Sequence, residues 1–155
     1  MKNEEEIITF TGNRGIKSKE VLGALCEINR KYPDAVWRSG MAYGLDMAVA
    51  EFAVANGIKF EAHLPFEPYI QCSKWNKTAQ DLYFSTLEKA SKVFTHGKGF
   101  SMKAYQDRNV AMARGADLVM AFNRNSRGGT VNMINHCKKS GITVIDGFSL
   151  FNEVV

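Results

Sequence analysis

Only three cysteines occur in the 155 residues, and Cys26, Cys72 and Cys137 contain no CxxC pair. An odd, unpatterned set excludes a disulfide framework and fits a reducing compartment, so these thiols read as structural or incidental. No run approaches the roughly 18 apolar residues that a bilayer-spanning helix needs. His63, His96 and His136 lack metal-ligand spacing and have no nucleophile beside them, so neither a metal centre nor a hydrolase triad is expected. Long basic blocks are also missing: 20 Lys and Arg against 16 Asp and Glu leave a net charge of +4, scattered along the chain. Such a charge suits an anionic small molecule or weak nucleic-acid binding and selects neither. Internal repeats, low-complexity segments and linkers are absent, and the acidic opening "MKNEEE" does not resemble a secretory leader. These absences predict one cytoplasmic domain over residues 1–155 with no membrane partner.

What is present is an alternation of strand-length apolar runs with helical patterns. Strands are predicted near Ile7–Thr11, Ala35–Arg38, Lys59–Leu64, Lys92–Thr95, Leu118–Phe122 and Thr143–Ile145. Helices are predicted near Lys19–Lys31, Leu45–Asn56, Lys77–Lys89, Ala104–Arg114 and Val131–Lys139. Leu45, Ala48, Val49, Phe52 and Ala53 recur at the spacing of one buried helix face. The Gly147–Val155 tail reads equally as a short strand or a helix. Strand–helix alternation of this kind implies an α/β fold: a single Rossmann-like three-layer domain, its mostly parallel, doubly wound sheet covered by helices on both faces. Ligands of such sheets bind beyond the carboxyl ends of the strands.

Those ends carry the unusual residues. "SRGGT", Ser126 to Thr130, combines two glycines that admit a close ligand with the start of a helix, whose free N–H groups and positive dipole end suit a phosphate. Thr130 can cap that helix or donate to the anion, and Arg124 or Arg127 can add a charged contact. "GNRG", Gly12 to Gly15, sets Arg14 between two glycines after the first strand, and "RSGMAYG" places Ser39, Gly40 and Gly44 after the second. Neither matches a dinucleotide fingerprint or a P-loop, and no cofactor is implied. The expectation is a common rim bearing Arg14, Ser39 and Gly129, with glycines that leave room for a phosphorylated ligand.

Asp46 falls in the first turn of its helix, where the dipole favours a carboxylate and where it can also accept sugar hydroxyls. Glu51 is roughly 140° further round that helix, so the two do not form a paired acid and base. They are the candidate catalytic carboxylates, Glu51 the lesser. "DRN", Asp107 to Asn109, reads either as a surface ion pair or as Arg108 and Asn109 presented to the site from a helix start. Trp75 and most Phe and Tyr residues read as core or interface, while Tyr43 and Tyr69 fall in the loops.

The stretches "SGMAYGLDMAVAEFAVANGI", "DRNVAMARGADLVMAF" and "SRGGTVNMINHCKKSGITVI", in this order, resemble the SLOG superfamily. That superfamily includes the DNA-processing protein DprA, the Lonely Guy phosphoribohydrolases and small stand-alone bacterial and phage proteins. The resemblance implies a domain that binds nucleotides or their derivatives, its pocket lined by Gly12, Arg14, Ser39, Gly40, Gly44, Asp46, Arg108, Asn109, Gly128, Gly129 and Thr130. Lonely Guy enzymes carry glutamates just after their Gly-Thr; here Val131, Asn132 and Met133 stand there, and the expected carboxylate is missing. The leading expectation is therefore a sensor or sequestering protein for a phosphorylated nucleoside or an ADP-ribose-like derivative. The alternatives are a nucleoside 5′-monophosphate N-glycosidase using Asp46 or Glu51, and DprA-like single-stranded nucleic-acid binding, the less favoured partner class. A homodimer is left open.

Overall fold

A computed structural model describes residues 5–152. The chain runs β1 (Ile7–Gly12), α1 (Ser18–Lys31), β2 (Val36–Ser39), α2 (Leu45–Ala55), β3 (Phe60–Leu64), α3 (Pro68–Gln71), α4 (Lys77–Leu87), β4 (Lys92–Thr95), α5 (Met102–Ala113), β5 (Leu118–Phe122), α6 (Gly129–Lys139), β6 (Val144–Asp146) and α7 (Ser149–Asn152). All pairings are parallel, in the order β4-β3-β2-β1-β5-β6. The chain steps outward from β1 to β4, then crosses through α5 to begin again at β5 on the other side of β1. The carboxyl ends of β1 and β5 thus flank the topological switch point, where an open parallel sheet leaves a crevice.

Alternation along β1 explains the layers. Ile8 and Phe10 belong to the large core on the α1–α2 side, with Trp37 packed 4.6 Å from Phe10 and stacked 5.6 Å from Phe52. Thr9 and Thr11 lie between them in sequence and are also buried, and Thr9 donates its hydroxyl to the Met112 carbonyl of α5. A smaller core of Met112, Ala113, Val119, Met133 and Cys137 seals α5 and α6 against the sheet. Eight of the eleven α2 residues are buried, so this helix is covered on far more than the one stripe its spacing predicts.

The five predicted helices and six predicted strands are all present, with ends shifted by a few residues. α3 was not predicted: its four residues open on Pro68, whose fixed φ suits a first helical position. The tail resolves to the helix α7, with 153–155 outside the described residues. Among the described residues no helix is long and apolar enough to cross a membrane, and all three thiols are free.

Candidate functional site

A cavity of about 760 Å³ opens at the switch point. β1 and its loop supply Gly12, Asn13 and Arg14; α5 supplies Arg108 and Asn109; and the β5–α6 junction supplies Arg127, Gly128, Gly129 and Thr130, with Asp46 of α2 at the floor.

The α6 end is built for close approach. Gly128 has φ 118° and ψ −170°, a conformation costly for any side chain, and a Cβ at Gly128 or Gly129 would meet nothing within 4 Å. No side chain of the described residues caps this helix, leaving its first N–H groups directed at the cavity. The loop is fixed from below: Asn13 donates to Asn123 Oδ1 at 3.2 Å and accepts from the Arg124 N–H at 2.6 Å. Arg124 is committed elsewhere, paired to Glu20 at 2.9 Å with its guanidinium over Phe148. Arg14 and Arg127 have no acidic partner among the described residues, so they are the cations available to an anion.

The floor is a buried charge arrangement around Gly40. A Cβ there would lie 2.7 Å from Arg108 Nη1 and 2.8 Å from Asp46 Oδ2, so Arg108 and Asp46 flank this glycine. Arg108 Nη1 donates to the Gly40 carbonyl at 2.9 Å and Nε to Asn109 Oδ1 at 3.2 Å, while Nη2 makes no hydrogen bond among the described residues. Both Arg108 and Asp46 are 8% exposed. Burial pushes the Asp46 carboxyl up to about 6, against the opposing pull of Arg108, the Ala42 N–H and Arg14. Burial likewise pulls the Arg108 guanidinium down. An anion at Arg108 Nη2 would meet a free donor of a guanidinium that is itself largely buried, where a charged hydrogen bond is stronger than at an open surface.

The predicted residues therefore divide. Gly12, Arg14, Asp46, Arg108, Asn109, Gly128, Gly129 and Thr130 line the one cavity; Ser39, Gly40, Gly44, Ser126 and Glu51 do not. Ser39 lies beneath the rim, fully buried, donating to the Asp46 carbonyl at 2.8 Å and accepting from the Met41 N–H at 3.1 Å. The room beside Gly40 is taken by Arg108 and Asp46. Beside Gly44, with φ +94°, it is taken by the Arg14 backbone, whose carbonyl oxygen would lie 2.3 Å from a Cβ. These two glycines make space for protein groups that form the site rather than for the ligand. Glu51 sits half-buried along α2, its carboxyl raised by burial. Asp107 pairs with Lys103 at 2.7 Å, which frees Arg108, in mid-helix and not at the helix start, to point inward.

The sequence singles out no site residue between β4 and Arg108, yet Phe100, Met102 and Tyr105 from that stretch form part of the wall. The signal was there: "HGKGF" carries two glycines at a strand end. The histidines also meet unexpectedly. His63 Nδ1 lies 3.0 Å from His96 Nε2, and Glu61 sits between His63 and Arg38, whose Nη1 donates to the Met112 and Arg114 carbonyls at 3.0 and 2.6 Å. This partly buried chain ties the C-terminal end of α5 to the sheet.

No protein-family model and no curated protein sequence matches the chain. Solved structures do. DNA processing protein A (DprA) from Streptococcus pneumoniae superposes with TM-score 0.70 at 21% identity, over 94% of this chain and 53% of that one. The chain shares the fold of the part of DprA on which it superposes. A DprA from Helicobacter pylori, described for its single-stranded DNA binding mode, gives 0.66 at 13% identity, covering 96% of this chain and 72% of its own. The Moco carrier protein from Chlamydomonas reinhardtii gives 0.54 at 13%, covering 91% and 75%. The chain spans about half the length of the S. pneumoniae protein. At these identities the likeness establishes a shared fold, the one that the SLOG resemblance implies.

Proposed function

We propose that this chain is a cytoplasmic domain that binds a phosphorylated nucleoside or an ADP-ribose-like derivative at the switch-point cavity, as a sensor or sequestering protein. The observation that carries the reading is the pairing, across one cavity, of an uncapped helix N-terminus at Gly128–Thr130 with the buried, half-satisfied guanidinium of Arg108. A phosphate bridging the two meets the helix dipole and a desolvated cation together. Asp46, beside Arg108, is the acceptor for ribose hydroxyls. The test is thermal shift with AMP, ADP-ribose, NAD and cyclic nucleotides. A ligand at 100 times its dissociation constant stabilises the fold by about 2.7 kcal/mol; no shift with any of them defeats the reading.

Likeness to the two DprA structures favours single-stranded nucleic acid as a second reading. Salt separates the two, because contacts along many phosphates weaken steeply with ionic strength and pocket binding much less. A third reading, N-glycosidase chemistry, draws support from the raised Asp46 carboxyl, since a group titrating near 6 can exchange a proton near neutral pH. It requires release of free base from nucleoside monophosphates, with a rate that follows Asp46 titration.

A further inference from the structure

A second cavity of about 490 Å³ adjoins the first and shares Arg14, Ala42, Phe100 and Tyr105 with it. Its chemistry is different. One aromatic group comes from the β2–α2 and α3–α4 loops, where Tyr43 packs edge-on 5.3 Å from Trp75, itself backed by Tyr83 at 5.2 Å. The other comes from the segment after β3, the β4–α5 loop and the first half of α5, where Phe66, Phe100 and Tyr105 pack with centroids 5.4 to 5.9 Å apart. Both groups expose ring surface: Phe100 is 69% and Tyr43 48% exposed, although Phe66 and Tyr83 behind them are fully buried. Large rings held in water on anchored loops are a cost unless something covers them.

The anchoring is specific. Gly99, at φ +66°, donates its N–H to Glu67 Oε1 at 2.7 Å, which sets the loop that carries Phe100. Gln71 is held at both ends, accepting from Tyr83 Oη at 2.6 Å and donating to the Gly40 carbonyl at 2.9 Å. That same carbonyl accepts from Arg108 in the first cavity, so one backbone group fixes the wall between the two.

Resting on the nucleotide reading of the first cavity, we infer that the second is a subsite for a planar aromatic ring, the base of a nucleotide whose phosphate lies in the first. Phe100 and Tyr43 are its contact residues, and Arg14, which lines both cavities, meets the anionic part of the ligand between them. Rings stack on aromatic side chains with little regard to base identity, so the subsite favours a base over none more than it favours one base over another.

Calorimetric titration with AMP and with ribose 5-phosphate, which lacks the ring, tests this. Wild type should bind AMP at least tenfold more tightly than ribose 5-phosphate. Tyr43→Ala, at an exposed position that lines only the second cavity, should weaken AMP about tenfold and leave ribose 5-phosphate within twofold, and Phe100→Ala, which lines both, should weaken AMP at least fivefold more than ribose 5-phosphate. Equal affinity of wild type for the two probes, or unchanged AMP binding in both variants, overturns the ring subsite. Equal losses for both probes overturn it too, by showing that the rings only hold the fold. If neither probe binds wild type, the nucleotide reading itself fails.

Discussion

Replacing Gly129 separates an anion site from a plain helical turn, because the structure makes folding and binding respond in opposite directions. Gly129 is the first residue of α6, its Cβ would meet nothing within 4 Å, and its φ is not in the left-handed region. Both Gly129→Ala and Gly129→Asp therefore fit without a clash. Alanine adds up to about 1 kcal/mol of helix propensity, and aspartate in a first turn gains about 0.3–1 kcal/mol from the dipole. Neither variant should unfold at lower urea than wild type. Binding differs: a carboxylate about 5 Å from a phosphate charge costs about 1 kcal/mol at the dielectric of water and about 3 kcal/mol at an effective value of 20. Gly129→Asp should therefore bind AMP at least ~1.5 kcal/mol more weakly than Gly129→Ala, about a tenfold difference, and the gap should narrow as salt is added. Calorimetry on both variants measures it. Equal affinities in two folded variants would refute the placement of the phosphate at α6.

Gly44→Ala should be among the most destabilising changes at the site, by about 3 kcal/mol in urea unfolding, since left-handed strain adds to a collision with the Arg14 backbone. Gly40→Ala should cost less stability, because Arg108 and Asp46 are side chains that can yield, yet should weaken AMP binding by displacing Arg108. Asp46 titrates near 6 when folded against 3.8 ordinarily. The folded state holds the extra proton between these values, so this group's contribution to stability falls, on the order of 3 kcal/mol in all, as pH rises from about 4 to 6. Burial holds His63 below its ordinary 6.5, which gives the opposite slope, stability rising with pH up to about 6.5. In Asp46→Asn the fall contributed by Asp46 should be lost while the rise from His63 and from His96, which burial likewise holds low, remains, and the variant should be more stable than wild type at pH 7; an unchanged pH profile by thermal denaturation would contradict the raised Asp46 carboxyl.

The succession of strand-length apolar runs and helical patterns, with the helical spacing from Leu45 to Ala53 the plainest of them, made the layered fold legible in the sequence, because strands that alternate with helices pair in parallel through helical crossovers. Glycine punctuation made the rim legible for the same kind of reason, since close backbone approach needs an absent Cβ. What approaches was not legible. Gly40 and Gly44 admit Arg108 and the Arg14 backbone, contacts between segments far apart in sequence. Ser39 has the small hydroxyl of a ligand contact but spends it on Asp46 and Met41. The aromatic wall escaped because Phe100 and Tyr105 follow no period; only the crossover through α5, from the edge strand β4 back to β5, brings them beside β1.

Amide chemical-shift mapping of the isotope-labelled protein with AMP tests the central claim most directly. The account predicts the largest shifts at Gly128, Gly129, Thr130, Arg108 and Asn109, with β4 and α4 unmoved. Shifts confined to residues outside the switch-point cavity, or none at saturating AMP, would contradict it.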